Sequence, residues 1–283
     1  MSYDFTTGFE GRRSFPARRF GGSEDVAADE FVVVETPVAL VFSGRPFAVT
    51  SATPTNLADF ACGFALTEGI VDDVADIEFI EIRRERSGIE VWVEIPRDRA
   101  MALDDLRRPL VGRPGRGHGG VDRFREARRG VTVVNGALRV SPKALRRAVA
   151  DLSRLRGAGA ASGTGHGAAF ADATGAIRLS REDAGRHNAL DKLIGALFAG
   201  DVDPAGGFVL VSSRCSHDMV RKTAAAGIGL IASTAAPTSL AIELADEARV
   251  GLVGHAREGR FTVYATPWRV VEDDEVRPLG GNA

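Results

Sequence analysis

Cysteine is almost absent from this chain of 283 residues, which contains only two, Cys62 and Cys215. Two thiols cannot form a disulfide framework or a four-thiolate zinc site. Histidines that could replace them lie in separate segments without metal-ligand spacing, at His166, His187, His217 and His255. We therefore expect no zinc or other metal ligated by the protein, and a reducing cytoplasmic location.

The chain also lacks long apolar runs and an excess of one charge. No stretch approaches the ~20 apolar residues that cross a bilayer, and the first thirty residues carry arginines and an acidic patch instead of an apolar targeting segment. The net charge of -2 argues against a general nucleic-acid-binding protein, which needs excess Lys and Arg. We predict no membrane or nucleic-acid partner, and a mobile tail over residues 1–29.

Lysine is also scarce. Of the 36 basic residues, only Lys143, Lys192 and Lys222 are lysines. A compact ammonium and a planar guanidinium are not interchangeable, so a Lys in an Arg-dominated chain hints at a site that needs a point charge. The alternative is chance.

The pattern of the first half predicts a small α+β domain over residues 30–110. Residues 31–50 read as a hairpin around a Gly44-Arg45 turn, and Thr53-Pro54-Thr55 precedes a helix that ends at Gly69. Two further strands are predicted at 77–83 and 89–95. Cys62 falls within the helix, where packing is the favoured interpretation.

A Gly/Arg-rich loop and connection is predicted over residues 111–140, followed by a layered α/β domain over 141–270 and a tail over 271–283. Ser141-Pro142 begins a helix through residue 155. Short apolar strands then alternate with helices, which argues for ligand crevices where strand ends meet helix starts. The strands are predicted at 177–179, 208–212, 228–232, 250–253 and 261–265, and the helices near 186–199, 216–226 and 238–248.

The segment EDAGRHNALDK, residues 182–192, places polar residues before an apolar helix stripe. Unpaired N–H groups and the helix dipole favour anions at a helix start, where Gly185 permits close approach and Arg186, His187 and Lys192 add donors. Asp183 could contact a base edge or cap the helix. An ordinary N-cap with incidental charge is the alternative for the segment.

Similar strand-to-helix junctions follow downstream. One offers Ser212, Ser213 and Ser216 with Arg214, and Lys222 lies further along the helix; the next offers Thr234, with Pro237 and Thr238 at the helix start. A final turn carries basic residues between two strands. None of these is a Walker loop or a dinucleotide fingerprint, and Ser212 and Ser213 lack the glycines of a hydrolase elbow.

Seven motifs taken in order resemble the FdhD family, the accessory proteins of formate dehydrogenase. The motifs are PVALVFSGRPFAVTSATP, FACGFALTEGIV, SGTGHGAA, EDAGRHNALDK, SSRCSHDMVRK, TAAPTSLAIELA and LVGHAREGRFTVY, and the resemblance covers roughly residues 33 to 268. The resemblance implies a smaller N-terminal domain packed on a cytidine-deaminase-like α/β domain, a homodimer, and binding of Mo-bis-molybdopterin guanine dinucleotide, for which GDP is a mimic. It also implies sulfur transfer from a cysteine desulfurase to that cofactor.

The resemblance places cofactor binding on the final turn, which comprises His255, Ala256, Arg257, Glu258, Gly259 and Arg260. The residues singled out above extend this set, and Thr234 or Asp183 could read guanine. The remaining candidates are His166, Arg186, His187, Lys192, Ser212, Ser213, Arg214 and Lys222.

The chain departs from the family at its sulfur-carrying loop. The family pattern Cys-Gly-x-Cys-Gly aligns with a stretch that has Arg116 and Gly119 at the cysteine positions. Neither can hold a persulfide, because sulfur relay needs a thiolate. The leading hypothesis is therefore a cofactor-binding chaperone for the formate dehydrogenase catalytic subunit, with Arg113 and Arg116 contacting cofactor or client.

Two alternatives remain. Cys215 is predicted at a helix start beside Arg214, which would lower a thiol pKa and permit a displaced sulfur carrier, although a small residue beginning a helix also fits. A deaminase-like hydrolase would follow from the implied fold, but the His-x-Glu and Pro-Cys-x-x-Cys zinc motifs are missing from the sequence.

Overall fold

The computed structural model describes residues 11–20, 26–110, 131–159, 165–200 and 202–272. For residues 104–110 and 156–159 it describes the backbone alone. Within these ranges the chain is a mixed α/β protein with sheets of two, four and six strands and six helices. The predicted α/β class is confirmed. Of the predicted loop, Arg113, Arg116 and Gly119 lie outside the described residues.

The N-terminal unit is a four-stranded sheet covered by one helix. Its strands are β3 (Thr36–Phe42), β4 (Arg45–Ala52), β5 (Phe79–Glu85) and β6 (Gly88–Glu94), in the order β4-β3-β6-β5. Helix α1 (Leu57–Thr67) packs its phenylalanines on the sheet, with Phe42 and Phe64 stacked 6.5 Å apart. The β3–β4 turn is formed by Ser43 and Gly44, both at positive φ, one residue earlier than predicted.

A two-stranded ribbon occupies part of residues 1–29, the segment predicted to be a mobile tail. Strands β1 (Arg12–Arg19) and β2 (Val26–Val33) pair antiparallel over eight residues. The ribbon leaves most of its side chains exposed, so it lacks the apolar alternation by which a strand is recognised. Its backbone pairing was therefore invisible in the pattern. Because β2 ends at Val33, residues 31–50, predicted as one hairpin, contain the end of the β1–β2 hairpin and most of the β3–β4 hairpin.

The C-terminal unit is a six-stranded sheet with helices on both faces. Its strands are β7 (His166–Asp172), β8 (Ile177–Asp183), β9 (Gly207–Val211), β10 (Leu230–Ser233), β11 (Gly251–Arg257) and β12 (Arg260–Ala265), in the order β12-β11-β10-β9-β7-β8. Strands β9, β10 and β11 are mutually parallel, whereas β7, β8 and β12 are antiparallel to their neighbours.

The helices enclose two cores on opposite faces of this sheet. Helix α3 (Pro142–Gly159) covers one face, and α4 (Arg186–Ala199), α5 (His217–Ala225) and α6 (Ser239–Glu247) cover the other. The predicted start of α3 is confirmed, because the Ala144 N–H donates to Ser141 Oγ at 3.2 Å. The likeness of these layers to cytidine deaminases stays a prediction.

Besides the ribbon, the sequence pattern did not predict two further elements, and it predicted a third one too short. Strand β7 is rich in Ala and Gly, which favour strands poorly, yet it lies between β8 and β9. Helix α2 (Arg97–Leu110) follows the small sheet and was not predicted. Strand β8 continues to Asp183, so the segment assigned to a helix start, residues 182–192, includes the last two residues of a strand.

The two units meet where α1 crosses α4 at two glycines. A Cβ built on Gly63 would lie 1.8 Å from the Asp191 carbonyl oxygen, and one built on Gly195 would lie 1.9 Å from that of Asp59. Only glycine fits at either position, so the helix backbones touch directly. No helix in the described part of the chain is long and apolar enough to cross a membrane.

Candidate functional site

The candidate site is one edge of the six-stranded sheet, which we call the donor edge. It comprises His166, Arg186, His187, Ser212, Ser213, Ser216, Thr234 and His255. The parallel strands β9, β10 and β11 all end at this edge, and β7 begins there because it runs antiparallel to β9. In open α/β sheets, ligands bind outside the carboxyl ends of the strands.

Direct hydrogen bonds join the loops of the donor edge into one surface. The Gly167 N–H donates to Ser212 Oγ at 2.8 Å, and Thr234 Oγ1 donates to the Ser212 carbonyl at 3.0 Å. The His255 N–H then donates to the Ala235 carbonyl at 3.2 Å. The structure thus brings together residues that the sequence placed in separate junctions.

Two helix starts at this edge have free capping positions. Gly185 precedes α4 and Ser216 precedes α5, and within the described residues no side chain caps either helix. Helix α6 differs, because Thr238 Oγ1 accepts from the Ala241 N–H at 3.3 Å. First-turn N–H groups without caps suit an anion, which the helix dipole also favours.

Arg186 and His187 are the first two residues of α4, which begins at this edge. The Nε of Arg186 is buried without a hydrogen-bond partner among the described residues, although a buried guanidinium N–H normally has one. His187 Nε2 lies 3.5 Å from Ser216 Oγ, so the starts of α4 and α5 are adjacent. An anionic group at this place would supply the missing acceptor.

The β11–β12 turn adds basic residues beside the edge. His255, Arg257, Glu258 and Arg260 line a surface cavity of about 500 Å³. All four are exposed, whereas Ala256 is buried. His255 and Glu258 have positive φ near 53°, a strained conformation for a residue with a side chain, whereas Gly259 adopts its φ of 74° without strain.

Asp183 and Lys192, which are predicted from the sequence to contact the cofactor, are instead buried and paired with each other. Both side chains are fully buried, and they form an ion pair of 2.6 Å. Lys192 also donates to the Thr53 carbonyl at 2.8 Å, and Asp183 Oδ1 accepts from the Gly185 N–H at 2.8 Å. Burial lowers the pKa of Lys192, an effect that Asp183 opposes. This pair joins the units instead of meeting solvent.

Lys222 is likewise buried, so its predicted ligand role is also corrected. Its Nζ lies 2.8 Å from Asp191 Oδ1 and 2.8 Å from Glu68 Oε1, and it donates to Thr67 Oγ1 at 2.8 Å. Burial raises the pKa of Asp191, which Lys222 counteracts. Two of the three lysines therefore neutralise buried carboxylates between the units.

The two thiols are enclosed. Cys215 is 0% exposed, and burial raises its pKa to about 12. The expected lowering of its pKa at a helix start is wrong, because desolvation dominates. Cys62 packs in α1 as predicted, and burial followed by repulsion from Asp59 raises its pKa to about 11.

The remaining predicted residues divide by exposure. Ser213 is buried, with its carbonyl accepting from Ser233 Oγ at 2.6 Å, and its hydroxyl donates to the Arg214 carbonyl at 3.2 Å. Arg214 itself is exposed, and His166 and Thr234 are half-buried. The described residues contain no cluster of three or more His, Cys, Asp and Glu that could hold a metal ion.

Sequence reasoning missed Thr53, which lies in the N-terminal unit but contacts the start of α4. Its N–H donates to Asp183 Oδ2 at 2.9 Å, and its Oγ1 accepts from the Ala184 N–H at 3.0 Å. The sequence places Thr53 only as a residue that precedes α1, whose N-cap is Asn56. No local signal could have shown a contact across 131 positions.

A family sequence model and two known proteins show which family this chain resembles. The sequence model of the FdhD/NarQ family matches residues 33–271. The chain is 45% identical to the sulfur carrier protein FdhD of Xanthomonas campestris pv. campestris (strain B100) over 253 residues, which cover 89% of this chain and 90% of the relative. It is 44% identical to the protein of that name from Bordetella bronchiseptica, with 89% and 91% covered.

A solved structure shares the fold. It is the crystal structure of a proposed formate dehydrogenase accessory protein from Desulfotalea psychrophila, with a TM-score of 0.70, 22% identity, and coverage of 92% of this chain and 99% of that one. At this identity the comparison concerns the fold alone.

Proposed function

Since this chain belongs to the FdhD/NarQ family, we propose that it binds Mo-bis-molybdopterin guanine dinucleotide at the donor edge and delivers it to a formate dehydrogenase catalytic subunit. On this proposal it acts as a cytoplasmic chaperone, not as an enzyme that transfers sulfur. The relatives' name, sulfur carrier protein FdhD, describes the sulfur step that our proposal leaves out because both cysteines of this chain are buried. The formate dehydrogenase client follows from the family resemblance.

The unpaired Nε of Arg186 is the single observation that carries the binding proposal. It lies at the start of α4, adjacent to the free start of α5. The ligand offers several phosphates and two guanine bases. Guanidinium and helix-start N–H groups are suited to those phosphates, and exposed Arg257 and Arg260 extend the basic surface across the neighbouring turn.

The state of the thiols supports binding without sulfur transfer. Cys62 and Cys215 are the only cysteines of the chain, and both are buried. A sulfane sulfur must be accepted and released by an accessible thiolate. Neither thiol is accessible, and burial raises both pKa values to about 11 and about 12.

Nucleotide binding can be tested with GDP by calorimetry, beside analysis of the purified protein for bound pterin and guanine nucleotide. We expect wild type to bind GDP, and Arg186→Met and Arg257→Ala to weaken binding about tenfold or more, the loss of one charge-assisted hydrogen bond. Arg178→Ala, on exposed β8, is the control. A protein that purifies empty and does not bind GDP would end the proposal.

The sulfur question has its own experiment. Incubation with a cysteine desulfurase and cysteine should leave the mass of the folded protein unchanged, and Cys215→Ala should retain full capacity to mature formate dehydrogenase. The alternative, a sulfurtransferase working through Cys215, requires a persulfide on that residue. Detection of that persulfide, together with lost maturation in Cys215→Ala, would replace our proposal.

A homodimer is proposed from the family resemblance. Light scattering of the purified protein measures this state directly, and a monomeric mass at micromolar concentration would contradict it.

A further inference from the structure

Thr53 joins the N-terminal unit to the segment around the start of α4. It belongs to the N-terminal unit, following β4, and is 3% exposed. Its N–H, hydroxyl and carbonyl each contact a residue within 183–192, and the carbonyl also accepts from the Thr55 N–H at 2.8 Å. Its N–H donates to Asp183 Oδ2, its Oγ1 accepts from the Ala184 N–H, and its carbonyl accepts from Lys192 Nζ, at 2.9, 3.0 and 2.8 Å.

These bonds constrain the two residues that lead into α4. Ala184 is held by Thr53, and the Gly185 N–H is held by Asp183 Oδ1 at 2.8 Å. Both N–H groups are thus turned inward. The helix begins immediately afterwards, with the Ala189 N–H donating to the Gly185 carbonyl at 2.9 Å.

The segment that leads into α4 is closely packed, so its position is fixed by its neighbours. A Cβ on Gly185 would lie 2.9 Å from Asn188 Nδ2, so even a methyl group would force a shift. Asn188 is itself anchored on the N-terminal unit, because its Nδ2 donates to the Ser51 carbonyl at 2.8 Å. The start of α4 is therefore located by contacts with residues 51–53.

We propose that Thr53 is a positioning residue for the donor edge: it sets where the α4 start, with Arg186 and His187, lies relative to Ser216 on α5. This inference rests on the proposed function, since it concerns the same ligand site. It gives the N-terminal unit a role in ligand binding through Ala184 and Asp183, without contact between Thr53 and the ligand.

The chain supplies a matched control for this role. Thr67 is another buried threonine of the N-terminal unit, 2% exposed, whose hydroxyl donates to Asp191 Oδ1 of α4 at 2.8 Å. It meets α4 in mid-helix, away from the donor edge. Thr53→Val and Thr67→Val each remove one hydroxyl at the same interface, so a merely structural role would make their effects alike.

The experiment compares GDP affinity and stability among four proteins: wild type, Thr53→Val, Thr53→Ser and Thr67→Val. We expect Thr53→Val to weaken GDP binding about fivefold or more, the usual lower range of coupling between sites. Thr53→Ser keeps the acceptor and should bind within about twofold of wild type. Thr67→Val should lose stability but keep its affinity. Equal affinities for Thr53→Val and wild type would overturn the proposal.

Amide hydrogen exchange supplies a reading that needs no ligand. Exchange at residues 184–187 should be faster in Thr53→Val than in Thr67→Val, and unchanged exchange there would also overturn the inference. If wild type fails to bind GDP, the proposed function fails, while the exchange result still decides the role of Thr53. Should Thr53→Val not fold, Thr53→Ala provides the same comparison without the added methyl group.

Discussion

Replacing Gly195 by alanine should destabilise the contact between the two units of the protein. The new methyl carbon would lie 1.9 Å from the Asp59 carbonyl oxygen and 2.8 Å from the Gly63 nitrogen. Ordinary contact begins near 3.4 Å, so the closer approach is about 1.5 Å too short. Both obstacles are backbone atoms of α1, and no rotamer change can remove them.

The magnitude follows from two opposing effects. Overpacking a core costs about 1–3 kcal/mol, and we take the upper end because helix backbones must move apart. Alanine instead of glycine inside a helix stabilises by about 1 kcal/mol. The net effect expected for Gly195→Ala is a loss of about 2 kcal/mol, which lowers the melting temperature by about 4 °C or more.

Urea and thermal unfolding followed by circular dichroism measure this loss. Gly136→Ala is the control, since a Cβ there meets nothing within 4 Å and its φ is not positive. It should change the free energy of unfolding by less than about 1 kcal/mol. If Gly195→Ala proved as stable as wild type, the direct backbone contact between α1 and α4 would be refuted.

Four further outcomes are expected. Lys222→Met should cost about 3–5 kcal/mol because it leaves the buried carboxylate of Asp191 without its cation; urea unfolding measures this, and Asp191→Leu in the same chain should recover part of it. Native Cys215 should resist a thiol reagent at pH 8 that modifies it after denaturation, and rapid native modification would contradict its burial. Since its pKa rises from 9.0 to about 12 on folding, its contribution to stability is full below pH 9 and is lost as the pH rises toward 12; wild type should therefore lose more stability than Cys215→Ala over that range. Arg269→Met should cost about 3 kcal/mol or more in urea unfolding, because the buried guanidinium donates to four backbone carbonyls, and a neutral result would disprove that role.

Sequence patterns predicted the elements whose signals are local. Thr238 precedes α6 as a hydroxyl cap, and Gly69, at a φ of 70°, follows α1 where the chain must turn. Strand β7 and the β1–β2 ribbon escaped detection for opposite reasons. The first is buried but made of small residues with weak strand preference, and the second pairs through its backbone while exposing its side chains.

The candidate site was predicted in part. Arg186, His187 and Thr234 were assigned from strand-to-helix junctions, and the sheet topology brings them to one edge. The lysines were misassigned because charge, taken alone, looks the same at a ligand site and in a buried pair. Lys192 and Lys222 acquire their carboxylate partners only on folding.

The sequence by itself determined the family, the scarcity of thiols, and the presence of Arg116 and Gly119 instead of cysteines. These are properties of composition and order, and no packing can change them. Tertiary structure decided which charged groups remain available to a ligand. Desolvation and pairing withdrew Asp183, Lys192 and Lys222 into the interface, enclosed Cys215, and left Arg186 at the edge with an unpaired donor.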